Sequence, residues 1–479
     1  MDLASPSTPH QHSQVNRHWM FNIVWGIVIE AVVIFFHNSP FIQNWQNFAF
    51  DSVMRAQANQ PIQRPYPLVL INIDNQTWRD SAWGGGEPKY APRDKLYALI
   101  EHAANNGSRY IIVDILVEGK NTAEDEQFAA QIDTLLSAKQ WKPEQHLMFI
   151  RSIRTALDTR AANEFRNSAL DQVISRHSQQ AHHVATYYLP SADHIIRDWE
   201  LWKIACNTST TNGTGHWQIL PSVQLLIAAL DAKLDLSASP LNNHTQHCAS
   251  NVEQGPEKLA EQQKKSTELN EKMWHWFAPN SNMSDYGHTE EALASRVIYR
   301  FNQIQGDAAL YSNSPVKDLR ALDIINHKTL PTKLNNAITV IGQTFFEAAD
   351  QHYTPLGKMP GSLLLLNSID SMLIDEQHSR QAFNVLTAPK LWVTLPIALI
   401  LIIGVGYAFA RLSSISGTLI ATMVTIILLA PASYTMFRYG VWLDFAAPVI
   451  AIQIHQLIKR IEENIEHQQL TKSNSHNHT

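Results

Sequence analysis

Hydrophobic positions along this chain fall into four long apolar stretches and one extended region of mixed pattern. The stretches cover residues 19–36, 391–409, 416–437 and 441–458. Each reaches or approaches the ~20 apolar residues that a helix needs to cross ~30 Å of hydrocarbon. Four transmembrane helices are the expectation, and a buried core helix is the competing reading of any single run. The first stretch also competes with a cleaved signal peptide. Only Arg17 stands just ahead of it, and His37-Asn38-Ser39-Pro40-Phe41 after it lacks a small-x-small cleavage pattern, which favours an uncleaved anchor. Basic residues set the orientation. With the N-terminus inside, Arg17, Arg411, Lys459, Arg460 and Lys472 flank the inner face, against Lys390 and Arg438 outside.

The expected layout is therefore a cytoplasmic tail at 1–18, a first span at 19–36, a periplasmic segment at 37–390, three spans within 391–458 and a cytoplasmic tail at 459–479. In the periplasmic segment, residues 37–66 read as a connector. Leu68-Val69-Leu70-Ile71-Asn72-Ile73-Asp74 reads as a buried strand ending in a carboxylate. Trp83-Gly84-Gly85-Gly86 reads as a turn or loop. Residues 94–105 carry helical spacing at Leu96, Leu99, Ile100 and Ala103, and a second buried strand covers 110–116. Strand, helix and strand in that order make a β-α-β unit with a parallel pair.

Further strands are expected at 147–150 and 183–188, and a helix at 221–234 with Pro221 near its start. Residues 236–290 read as an insertion with a charged helix at 254–272. The β pattern restarts at 297–301 and 337–341, and a last helix at 361–373 leads toward the membrane. The fold class is thus an α/β extracytoplasmic domain, with a mixed or parallel sheet and flanking helices, plus a bundle of four transmembrane helices.

Composition changes this picture little. Mean hydropathy is −0.19, so most of the 479 residues face water. The net charge of −6, with no basic run, argues against a nucleic-acid partner. Both cysteines, Cys206 and Cys248, fall in the exported segment, where an oxidising compartment favours a disulfide over two separate thiols.

Several blocks together resemble bacterial CHASE domains of the second type, which are sensory extracellular domains associated with cyclases and histidine kinases. They include Asp51 with Arg55, the strand ending at Asp74, Arg93, Asp114-Ile115-Leu116, and Leu220-Pro221-Ser222. The most specific are Val340-Ile341-Gly342, then Asp350, Tyr353-Thr354-Pro355-Leu356-Gly357, Met359-Pro360-Gly361 and Asn367. Gly440-Val441-Trp442-Leu443 and Pro448 resemble the family's membrane module. The chain departs from the family at Trp83-Gly84-Gly85-Gly86 and at Leu365. The resemblance implies a receptor that dimerises. With no output domain after residue 458, it also implies a separate cytoplasmic or membrane output protein.

Asp74 and Asp114 close buried strands, where α/β sheets bind ligands. With Arg93, Asp350 and Thr354 they are candidates to line one pocket for a small molecule or ion, against the alternative that they cap loops and hold the fold. Residues 350–355 also suit an Asx-type turn. His182-His183, His476 and His478 lack a full set of metal ligands, so no metal or other cofactor is expected. No nucleophile elbow, zinc-protease motif or phosphate loop is present, so no enzyme activity is expected. Glu30, inside the first apolar stretch, costs about 2.5–3.5 kcal/mol at a bilayer centre. It is a candidate coupling latch against the closing helices, with Tyr434, Thr435 or Asp444 as partners, unless it snorkels outward. The function expected is an inner-membrane sensor. The alternative is a structural scaffold that binds envelope proteins.

Overall fold

The computed structural model describes residues 40–386, apart from 59, 61, 87–90, 119–121, 155–163, 167, 208–214, 235–246, 249–271, 274–293, 302–314, 327–333 and 349, together with 423 and 434. The chain divides into two compact units, residues 58–376 and residues 1–57 with 377–479.

The larger unit is built on a six-stranded sheet in which every neighbouring pair is parallel. Its strands are β1 (Leu68–Ile73), β2 (Tyr110–Asp114), β3 (His146–Ile150), β4 (Ala181–Val184), β5 (Val316–Arg320) and β6 (Ile338–Gln343). They lie in the order β5-β1-β6-β2-β3-β4. The last of these six strands in chain order is thus threaded between the first two. The central strands are buried on both faces, which explains why they read as continuous apolar runs.

Alternate residues serve opposite layers. Val69, Ile71, Ile111, Val113 and Ile341 pack in one cluster with α3 (Arg93–Asn105), α4 (Ala123–Ser137), α5 (Asp171–Arg176) and α7 (Ala321–Ile325). Leu68, Leu70, Tyr110, Ile112, Ile338 and Val340 pack on the other face with α6 (Val223–Asp231) and α8 (Gly361–Leu386). Leu96, Leu99, Ile100 and Ala103 of α3 are all fully buried, as their spacing predicts. Ser222 caps α6 by accepting from the Leu225 amide, so Pro221 ends the preceding strand and does not open the helix.

Between β4 and β5 the chain leaves the main sheet. Ala294–Arg296, Ile196–Glu200 and Tyr188–Pro190 form a three-stranded sheet. His247–Cys248, Gly215–Pro221, Trp202–Asn207, Glu164–Phe165 and Ile153–Arg154 form a five-stranded one. Residues 297–301 are not a strand. They run beside α8, whose side chains take the hydrogen bonds that a neighbouring strand would. Asn367 Oδ1 accepts from the amides of Arg300 and Phe301, and Ser371 Oγ accepts from Ile298. Arg64 binds Asp370 of α8 through two nitrogens, at 2.8 and 3.2 Å.

In the smaller unit, residues of the expected connector form a helix, α1 (Pro40–Gln57). Ala49, Phe50, Val53 and Met54 are buried and Trp45 and Phe48 exposed, an amphipathic spacing that the connector reading overlooked. The Gln57 side-chain amide donates to the carbonyl of Tyr434. Among the described residues no helix is long and apolar enough to cross a membrane. The four apolar stretches lie outside them, except Met423 and Tyr434.

Candidate functional site

The C-terminal ends of β1, β6 and β2 stand side by side, and the helices that follow them lie on opposite faces, α3 and α4 on one and α8 on the other. Open parallel sheets offer a ligand crevice at such an edge. Asp114 is the last residue of β2 and continues the Tyr110, Ile112 alternation, so it belongs to the α8 face. Its register partner on β6 is Gly342. A Cβ on Gly342 would stand 2.5 Å from the Ser362 Cβ and 3.5 Å from Asp114 Oδ2. Only glycine lets the first turn of α8 settle on the sheet beside that carboxylate.

A hairpin of β7 (Gln351–Thr354) and β8 (Gly357–Pro360) then delivers a second carboxylate. The backbone carbonyl of Asp350 accepts from the Gly361 amide at 3.1 Å, and its carboxylate lies against the Gly361 Cα. Asp114 and Asp350 thus share a cavity of about 530 Å³ at the start of α8. Tyr187, Tyr188, His194 and Leu365 also line it. The Tyr188 hydroxyl lies 3.1 Å from Ser368 Oγ, which ties the cavity wall to the next turn of α8. His352 Nε2 stands 2.7 Å from Asp350 Oδ1.

Burial, and then the facing Asp350 carboxylate, push the Asp114 carboxyl well above the usual carboxylate range. Burial likewise pushes the Tyr188 hydroxyl up. The site is a concave pocket with largely apolar walls and two carboxyl groups, of a size that suits a small ligand. Among the described residues no cluster of His, Cys, Asp or Glu has the makeup of a metal site.

The other expected site residues lie elsewhere. Asp74 caps α2 (Asn75–Arg79) by accepting from the Thr77 amide, and its second oxygen pairs with Arg320 at 2.9 Å. Arg93 is buried between α3 and α4 and pairs with Asp125 at 2.7 Å. Asp125 also completes the capping box of α4 with Thr122. Thr354 Oγ1 donates to the Gly357 carbonyl within the hairpin, which replaces the expected Asx-type turn. These three hold helices and a turn, and the shared pocket keeps two of the five residues. His182 and His183 point to different partners, His146 and Asp171. Cys206 and Cys248 lie on strands separated by Gly215–Pro221, and their side chains fall outside the described residues. Glu30, His476 and His478 do so as well.

Residues 27–406 match the family model of the CHASE2 domain. The chain belongs to the CHASE2 family. CHASE2 is a family of extracellular sensory domains, so membership supports a sensory role. No curated protein and no solved structure matches the chain.

Several of the blocks that carried the CHASE2 resemblance converge on the start of α8. Gly342 and Gly361 are the two close-approach positions, Asp114 and Asp350 are the carboxylates, and Asn367 fixes residues 300 and 301 to the helix. Sequence reasoning passed over Tyr188, His194, His352 and Ser362. His352 and Gly361 lie inside or beside quoted blocks, and that adjacency was the available signal. Tyr188 and His194 enter from the three-stranded sheet and the turn beside it, and no local pattern marks them.

Proposed function

We propose that this CHASE2 protein is a multi-pass sensor of the bacterial inner membrane. Residues 37–390 face the periplasm, residues 19–36 and 391–458 supply four spans, and both termini are cytoplasmic. The domain detects a small ligand in the cavity between Asp114 and Asp350. It is not an enzyme, and a separate output protein reads the state of the spans.

One observation carries this reading. The cavity is built on the first residue of α8, and α8 continues as one helix to Leu386, close before the apolar stretch that begins at residue 391. A ligand that binds two arrangements of the α8 start unequally biases the equilibrium between them. Ser368, Asn367, Asp370 and Ser371 are held by hydrogen bonds or ion pairs. Such directional contacts favour rigid movement of the helix over local melting.

The test is crosslinking in native membranes, followed by recovery through a C-terminal tag and mapping of crosslinked positions. A regulator attached to residues 459–479 is the expected result. Envelope proteins attached only to residues 37–390 would overturn the sensor reading and establish a scaffold.

A further inference from the structure

We infer that the cavity at the start of α8 takes an organic cation, with a ligand ammonium seated between Asp114 and Asp350. This rests on the sensor reading of the cavity and adds the chemical class of its ligand.

Charge is the first reason. Two carboxylates line the cavity, and no arginine or lysine is among its lining residues. The lining groups that can carry positive charge are His194 and His352. His352 is already engaged with Asp350 at 2.7 Å. An anionic ligand would be repelled by this acidic pair, whereas an ammonium seated between the two favours the ionised form of Asp114 that burial and Asp350 otherwise oppose.

Unsatisfied polarity is the second reason. Among the described residues Asp114 accepts no hydrogen bond, whereas Asp74, Asp125, Asp171 and Asp370 each accept from a named partner. Ser362, fully buried beside Gly342 and the Asp114 carboxylate, has an Oγ without a hydrogen-bond partner. Buried polar groups left open in this way call for explanation. An ammonium donates to carboxylates, and charge-assisted bonds of that kind are the strong ones.

The rings are the third. Tyr188 and Tyr353 line the same cavity, and aromatic faces attract cations, as Tyr187 beside them already does with Lys203 at 5.3 Å. Tyr353 is 60% exposed, so it stands at the mouth and not in the core. Pro190, Ile196 and Leu365 supply apolar wall for the carbon skeleton. A cavity of about 530 Å³ suits a metabolite-sized amine.

The experiment is calorimetric titration of the full-length protein in detergent with three isosteric probes: phenethylammonium, phenylacetate and 2-phenylethanol. The expected result is binding of the ammonium at least tenfold tighter than either other probe. Asp114→Asn and Asp350→Asn should each weaken it tenfold or more, and Asp74→Asn should leave it unchanged. Phenylacetate or 2-phenylethanol binding as tightly, with loss on Thr186→Trp, which fills the cavity from its wall, would overturn the cation class and keep the cavity as a ligand site. Absence of ammonium binding by the wild-type protein would overturn the inference outright, while the crosslinking test still decides the sensor reading. Retention of ammonium binding in a folded Asp114→Asn protein would also overturn it.

Discussion

The carboxylate of Asp350 lies directly over Gly361, where an added Cβ would come within 2.2 Å of Oδ2 and 2.6 Å of Oδ1. The first residue of the 26-residue helix α8 is therefore glycine because an acidic side chain occupies its only free face. Negative charge at a helix N-terminus is favourable. The same contact places Asp350 at the edge of the cavity.

Gly361→Ala should swing that partly exposed carboxylate aside, at a cost of about 0.5–1.5 kcal/mol. Asp350→Ala removes the obstacle, so the double variant should be more stable than Gly361→Ala alone. Thermal unfolding of all three proteins tests this coupling, which contacting residues show as non-additivity. Strict additivity would mean that the two groups do not touch.

Gly342→Ala meets the Ser362 Cβ at 2.5 Å, a contact that no side-chain rotation relieves. It should also destabilise by about 1–3 kcal/mol, and Ser362→Gly should recover part of the loss. Ser362→Ala alone removes a hydroxyl without a partner, so it should be neutral or slightly stabilising in denaturant titrations.

Much of this architecture is legible in the chain. Leu68-Val69-Leu70-Ile71 and Tyr110-Ile111-Ile112-Val113 announce strands buried on both faces, and the α3 spacing announces the helix between them. The insertion of β6 between β1 and β2 is not legible, because the pairing partner of a buried apolar strand leaves no local mark. Residues 297–301 misled for a related reason. Val297, Ile298, Tyr299 and Phe301 are apolar because they are buried, and the amides of Ile298, Arg300 and Phe301 are satisfied by Ser371 and Asn367, that of Val297 by the Arg197 carbonyl. The candidate site was half legible. Asp114 and Asp350 converge across long chain separation, whereas Asp74, Arg93 and Thr354 have the same polar character and serve caps, an ion pair and a turn.

The cap role of Asp74 sets an order of effects. Asp74→Ala loses the Thr77 amide bond and should cost about 1 kcal/mol. Arg320→Ala loses only a partly exposed ion pair and should cost less than about 1 kcal/mol. Equilibrium unfolding of both variants checks the order, and the reverse order would remove the cap from the account.

Two buried histidines and one buried aspartate give stability opposite dependences on pH. Burial lowers His146 to about 4 and His182 to about 3, from about 6.5 in an unfolded chain. Between those values the unfolded chain binds protons that the folded one does not. Their contribution is whole above about pH 6.5 and is lost as pH falls toward 4. Asp318 is raised by burial to about 6, so the folded chain holds its proton where the unfolded one has released it. That contribution is lost as pH rises through 6. Asp318→Asn should therefore stabilise by about 1–2 kcal/mol at pH 8, by about half as much at pH 5 and hardly at all below pH 4. His146→Phe should flatten the acid side of the curve, and an unchanged acid limb would refute the assignment to this histidine.

The central claim is that occupancy of the cavity is felt by α8. Hydrogen–deuterium exchange of the full-length protein, with and without phenethylammonium, tests it most directly. The account predicts slower exchange in the first turns of α8 from Gly361 onward, extending toward Leu386, and no such change with phenylacetate. Saturating ammonium binding with α8 exchange unchanged would contradict it.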